Sequence, residues 1–314
     1  MRDKATTPIV VARDQEMNST KALRLLPTFF VAFILLIAPL SPSHSQRPQN
    51  VESQIDALLA KMTLAEKLGQ LQQLDGEANG NFRPEHVDLL RKGLLGSTLN
   101  VRGAKNTNQL QHVAMDESRL KIPILLGFDV IHGYRTIFPI PLAEASSWEP
   151  ALAERSTSVA AQEARAAGVR WTFAPMLDIA RDPRWGRITE GAGEDPYLGA
   201  AFARARVRGF QGNDYSAPDK ILACAKHWVA YGAAEGGRDY NTTDLSENTL
   251  REIYFPPFKA AVDAGVGTVM SAFNDLNGVP TSANPFTLTK VLRGEWKFEG
   301  FVVSDYTSVK ELIN

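Results

Sequence analysis

Short apolar runs that stop at a polar or charged residue recur along this chain. Ile122 to Phe128 ends at Asp129, and Val169 to Leu177 ends at Asp178. Ile221 to Ala225 ends at Lys226-His227, Val266 to Phe273 ends at Asn274, and Phe301 to Val303 leads to Asp305. Their β-branched content and lack of alternation predict strands buried on both faces, as in a parallel sheet. Leu94 to Asn100, bounded by Gly93, and Gly69 to Leu74 are two weaker strands. Helical spacing separates the runs at Pro150–Ala167, Asp195–Gln211 and Ser246–Ala264, and also appears from Val51 to Met62. Thr63-Leu64-Ala65-Glu66 reads as a capping box opening a further helix.

Strands alternating with helices of this length predict βα units, six or seven in all. Two architectures fit, an open doubly wound sheet and a TIM-type (β/α)8 barrel. No glycine-rich phosphate loop follows any strand, whereas polar residues stand at the ends of several strands. That distribution favours the barrel, whose site is assembled from many strand ends. Asp305 lies on the seventh strand, so these residues leave an eight-stranded barrel incomplete, and the domain is expected to run further.

The N-terminus points to a compartment. Lys21 and Arg24 precede an apolar run from Leu25 to Leu40, followed by Ser43-His44-Ser45. This pattern predicts a secretory signal peptide within residues 1–45, Met17 being an alternative start, with the barrel domain occupying 46–314. The competing reading is a membrane anchor. Pro27, Pro39 and a length below the about 20 residues of a span argue against it. The expected location is the periplasm or the exterior, with no membrane anchor after cleavage.

Of 314 residues 44% are hydrophobic, and 34 basic side chains face 35 acidic ones, a balance that gives nucleic-acid binding no support. Cys224 is the only cysteine, so no intrachain disulfide forms, and its apolar surroundings predict a buried small side chain. The five histidines are scattered without metal-ligand spacing, and no G-x-S-x-G elbow occurs. No metal or other cofactor is expected.

Four clusters carry the candidate chemistry: Asp129, Arg181 to Arg187, Lys226-His227 and Asp305. A carboxylate, a guanidinium, an ammonium and an imidazole converging on one rim suit a polyhydroxylated ligand, with Trp185 or Tyr306 covering its C–H face. Each group has a plainer reading. Asp129 has a lesser reading as a helix cap, and Arg181, Asp182, Arg184 and Arg187 one as a salt-bridge knot around Trp185. Lys226 and His227, being adjacent, face opposite ways inside a strand and share a face only at a frayed end. Asp178 reads as a rim residue that either touches ligand or supports the rim. His132 reads as packing, and the acidic residues Glu190, Glu194 and Asp195 as helix N-terminal chemistry.

Taken in order, Gly127–Gly133, Arg181–Arg187, Gly193–Leu198, Lys226-His227-Trp228, Met270–Asn274 and Val303–Tyr306 resemble glycoside hydrolase family 3, above all its bacterial periplasmic β-glucosidases. The resemblance covers roughly residues 50–314. It implies a TIM-like barrel followed by an α/β sandwich domain, and retaining hydrolysis of terminal β-glucosides or β-xylosides. By position Asp305 is the implied nucleophile. Asp129, Arg187, Lys226 and His227 hold sugar hydroxyls, Met270 and Phe273 line the pocket, and Tyr306 stands where many members carry Trp. The implied acid/base glutamate lies in the second domain, so these residues alone are expected to turn over little substrate. The loop Trp228 to Asp239 contains no histidine, which disfavours the N-acetylglucosaminidase subgroup. Lys226 and Arg187 are expected to lower the pKa of Asp305. A non-catalytic sugar-binding module or an inactive remnant is the alternative, and the oligomeric state is open.

Overall fold

The computed structural model describes residues 49–313; the predicted signal peptide and alternative start lie outside them. Seven short strands run parallel: β1 (Gln73–Asp75), β2 (Ser97–Leu99), β3 (Leu125–Phe128), β4 (Trp171–Thr172), β5 (Cys224–Trp228), β6 (Thr268–Ser271) and β7 (Phe301–Ser304). The first four pair in sequence order, and β5, β6 and β7 do the same. Two parallel bridges, Trp171 with Leu222 and Met176 with Lys226, carry the order from the β4 segment to the β5 segment. Among the described residues no pairing joins β7 back to β1.

The seven predicted strands all occur, but their limits shift for identifiable reasons. Thr63 does form a capping box with Glu66, and the helix it starts runs through Gln70. The first strand therefore begins at Gln73, not Gly69. The run from Val169 to Leu177 is broken because Pro175, joined to Ala174 by a cis bond, has no N–H for the ladder. The segment still pairs with β5, since the Ala174 and Pro175 carbonyls accept the Cys224 and Lys226 N–H groups and the Leu177 N–H donates to the Lys226 carbonyl at 2.6 Å. The largest correction concerns Lys226 and His227. They lie within β5, all of which is buried, and not beyond its end.

The helices include α1 (Gln49–Lys61), α2 (Leu64–Gln70), α3 (Pro84–Arg91), α4 (Ala104–His112), α5 (Pro150–Ala166), α6 (Pro196–Gln211) and α7 (Phe255–Asp263). Asp195 caps α6, its carboxylate accepting from the Leu198 N–H at 2.7 Å. The helix predicted over Ser246–Ala264 is not uniform. A wide turn at Leu250–Tyr254 separates its first turn from α7, next to Pro256 and Pro257, which offer no N–H. A small antiparallel hairpin, Asp275–Leu276 with Val279–Pro280, follows β6.

Apolar packing divides into layers. Between strands and helices, Ala161 and Ala164 of α5, Val207 and Phe210 of α6 and Phe258 of α7 meet Ala223 and Val269. On the inner side, Trp171, Phe173, Cys224 and Met270 pack with Leu99, Leu125 and Val303. The Trp171 indole N–H donates to Thr268 Oγ1 at 3.0 Å, which satisfies its polar edge in this layer. Cys224 is fully buried, as its apolar context predicts. No helix among the described residues is long and apolar enough to cross a membrane.

Candidate active site

Asp305 stands directly after β7 with only 9% of its surface exposed. One carboxylate oxygen accepts the Tyr306 N–H at 2.7 Å. The other, Oδ2, has no hydrogen-bond partner and faces His227 Nε2 at 3.5 Å. Burial pushes the Asp305 carboxyl up from 3.8 to about 6, against the pull of the Tyr306 N–H, Lys226 and Arg187. The two cations lower it as expected, but desolvation is larger and reverses the net direction. The group is still mostly ionised at neutral pH.

β5 supplies the neighbouring groups. Lys226 Nζ donates to Asp129 Oδ1 at 2.7 Å, so Asp129 faces a buried ammonium and does not cap a helix. The Lys226–His227 peptide is cis, and both side chains reach the site from inside the strand. His227 lies beside Asp305 rather than on the opposite face. Burial, reinforced by Lys226 and Arg187, holds its imidazole well below the ordinary range, so the ring is neutral.

Asp178 lies behind His227. It is fully buried, and its Oδ2 accepts the His227 backbone N–H at 3.0 Å and meets the ring Nδ1 at 2.8 Å. Burial pushes its carboxyl up to about 7. Its carboxylate supports the rim through His227, and its side chain has no exposed surface.

Arg187 is held by Glu190, with Nε to Oε1 at 2.7 Å and Nη2 to Oε2 at 3.0 Å, and its guanidinium lies 5.4 Å from the Tyr231 ring centroid. Burial opposes the Glu190 charge, but the Arg187 contacts outweigh it and keep this carboxyl low. Glu190 is therefore an Arg187 partner, not helix N-terminal chemistry; the i,i+3 spacing was its only signal. Tyr231, which no motif singles out, packs its ring nearly perpendicular to that of His227 with centroids 5.1 Å apart.

The aromatic expectations divide. Trp185 is buried, with its indole N–H on Asp239 at 2.8 Å and its ring against Tyr231, so it offers no face to a ligand. Tyr306 is 63% exposed and keeps a free face. Phe273 packs edge-on against Tyr240 at 4.8 Å, while Met270 belongs to the inner core layer. The expected knot reduces to one pair, Arg184 with Asp182 at 2.6 Å. His132 is packing, its Nδ1 on the Phe138 carbonyl at 3.0 Å. A cavity of about 250 Å³ opens beside Asp129 and Glu190, with Ile131, Ile137 and Ile140 on its apolar wall. It flanks the Asp305 cluster rather than containing it. Among the described residues, no three His, Cys, Asp or Glu side chains are grouped to hold a metal.

Known proteins carry the same framework. The family model described as glycosyl hydrolase family 3 N terminal domain matches residues 63–314. A periplasmic beta-glucosidase of Salmonella typhimurium is 42% identical over 271 residues, covering 86% of this chain and 35% of that protein. A putative beta-xylosidase of Formosa agariphila is 34% identical over 293 residues, covering 87% and 39%. The chain thus spans little more than a third of the length of these relatives. The crystal structure of a beta-glucosidase from Listeria innocua in complex with glucose superposes with a TM-score of 0.78 at 38% identity, covering 84% of this chain and 38% of that one. On the extent of the family match and the identity to these relatives, the chain belongs to glycosyl hydrolase family 3.

Proposed function

We propose that these residues form the nucleophile-bearing part of a retaining exo-β-glucosidase, exported to the periplasm or beyond. The observation that carries this reading is the free Oδ2 of Asp305, buried among Lys226, Arg187 and His227 yet ionised at neutral pH. In the first step Oδ2 forms a bond to the anomeric carbon, and the glycosidic C–O bond breaks with its electron pair on the leaving oxygen. That oxygen takes a proton from an acid, and the same group, now a base, then activates water to cleave the glycosyl ester. Asp129, Arg187, Lys226 and His227 hold the sugar hydroxyls, Met270 and Phe273 line the pocket, and Tyr306 offers a stacking face.

Retention calls for a second carboxyl at roughly 5–5.5 Å from the nucleophile. The nearby carboxylates are otherwise engaged: Asp178 by His227, Asp129 by Lys226 and Glu190 by Arg187. On this reading the acid/base glutamate comes from an α/β sandwich domain beyond residue 314. The seven strands then belong to a TIM-type barrel whose eighth strand follows β7, with residues 1–45 as a cleaved leader. The relatives' names support a β-xyloside as the alternative substrate.

An activated 2-deoxy-2-fluoroglucosyl fluoride tests the reading, because fluoride departs without acid assistance. The expected result, with the enzyme extended through the second domain, is one glycosyl adduct on the peptide containing Asp305 and none in Asp305→Asn. An adduct on another carboxylate would overturn the assignment. Sugar binding with neither adduct nor turnover would favour a non-catalytic module.

A further inference from the structure

Two hydrogen bonds converge from one residue onto one oxygen. Asp178 Oδ2 accepts the His227 backbone N–H at 3.0 Å and Nδ1 at 2.8 Å. At pH 8, above the Asp178 value of about 7, this carboxylate oxygen only accepts, so the proton of the neutral ring sits on Nδ1 and Nε2 keeps its lone pair. Nε2 points at Asp305 Oδ2 across 3.5 Å, and neither atom has a proton to offer the other while Asp305 is ionised. Two acceptors side by side in a buried cleft form a receptor for a donor. The Tyr231 ring packs nearly perpendicular to it, with centroids 5.1 Å apart, and leaves the imidazole little freedom to turn away. Asp178 itself has no exposed side-chain surface.

We propose that Asp178 is a positioning residue that fixes His227 as its Nδ1–H tautomer, so that Nε2 accepts a hydrogen bond from a ligand hydroxyl beside Asp305. The proposal rests on the reading of this cleft as a sugar site. The orienting carboxylate acts on the acceptor of the sugar rather than on the nucleophile. Its contribution is to tautomer and direction, and the charge is secondary. An amide oxygen at the same place would serve almost as well, since it also accepts two N–H groups.

Nitrogen-15 spectra of histidine-labelled chain test this directly, with glucose titrated in. For the wild type at pH 8 the expected His227 signals are a protonated Nδ1 and a bare Nε2, the latter shifting when glucose binds. Asp178→Ala is expected to invert or mix the tautomers and weaken glucose binding by about tenfold or more. Asp178→Asn should keep the wild-type tautomer and bind within about threefold of wild type. A wild-type ring protonated at Nε2, or an Asp178→Ala ring with unchanged tautomer, would overturn the proposal. Should Asp178→Ala fail to fold, the wild-type and Asp178→Asn spectra decide it. Failure of wild type to bind glucose would count against the sugar-site reading, while the tautomer would still decide this inference.

Discussion

Lys226 Nζ and Asp129 Oδ1 meet at 2.7 Å although 97 positions separate them in the sequence. One is inside β5 and the other directly follows β3, so the contact spans the mouth of the strand array. Lys226 is 6% exposed and Asp129 43%, which puts the ammonium on the protein side and the carboxylate toward solvent. Lys226 also lies among the charges that lower the Asp305 pKa, and Asp129 among those that raise it.

Replacing Lys226 by Met removes the lowering charge and leaves Asp129 uncompensated. Both effects act in the same direction. The ionisation midpoint of Asp305, read from its carboxyl carbon-13 shift, is expected to rise above about 6 by half a pH unit or more, an order-of-magnitude figure for a charge at this range. A midpoint that stays or falls would separate Lys226 from the electrostatics of Asp305.

Asp305 also sets a pH dependence of stability. Its folded pKa, about 6, lies above the unfolded value near 3.8, so folding favours the protonated form. The unfolded chain gives up this proton first as pH rises. Stability is therefore lost through the window from about 4 to about 6, and the full penalty persists above it. A rise from 3.8 to about 6 corresponds to roughly 3 kcal/mol. Asp305→Asn is expected to unfold at higher urea than wild type at pH 8, with the difference shrinking toward pH 4. An equal difference at both pH values would contradict the assignment.

How much of this was legible in the sequence depended on whether a feature is local. Apolar runs ending in Asp129, Lys226 and Asp305 marked the strands, because a buried parallel strand needs apolar residues on both faces. Their limits were not legible where the ladder decides them, as at Pro175, or where polar residues sit inside a buried strand, as at Lys226 and His227. Trp185 reads as a stacking face until Asp239, 54 positions away, takes its indole N–H. The pKa direction of Asp305 failed for a related reason: neighbouring charges are visible in a sequence, but the burial that outweighs them is not.

Arg206 and Glu144 form a second buried ion pair, away from the Asp305 cluster. Arg206 Nη2 donates to Glu144 Oε2 at 3.0 Å and to the Pro141 carbonyl at 3.2 Å, and Ser156 donates to the other Glu144 oxygen at 2.5 Å. The side chains are 3% and 10% exposed. The contact ties α6 and α5 to the short helix Pro141–Ala145, whose Pro141 lines the 250 Å³ cavity. Glu144→Ala strands a buried guanidinium and is expected to lower stability by about 3–5 kcal/mol. The double replacement Glu144→Leu with Arg206→Met should be less damaging than Glu144→Ala alone, because it leaves no unpaired charge. Urea unfolding of the three variants checks both statements.

The α5–α6 crossing makes the last prediction. A Cβ built on Gly209 would overlap Thr157 Oγ1 and crowd the Glu154 carbonyl, and the Thr157 hydroxyl is itself committed to the Ala153 carbonyl at 2.6 Å. Backbone on one side and a bonded hydroxyl on the other leave nothing that can yield cheaply. Alanine ordinarily stabilises a helix by about 1 kcal/mol over glycine, but overpacking here costs about 1–3 kcal/mol or more. Gly209→Ala is therefore expected to lower the melting temperature. Gly199, in the first turn of the same helix, is the control. Its added Cβ would meet only the tips of Ile179 and Pro257 at 3.1 and 3.2 Å. Gly199→Ala should be close to neutral or mildly stabilising, and a greater loss there than at Gly209 would show that the close approach of α5 and α6 is not what requires glycine.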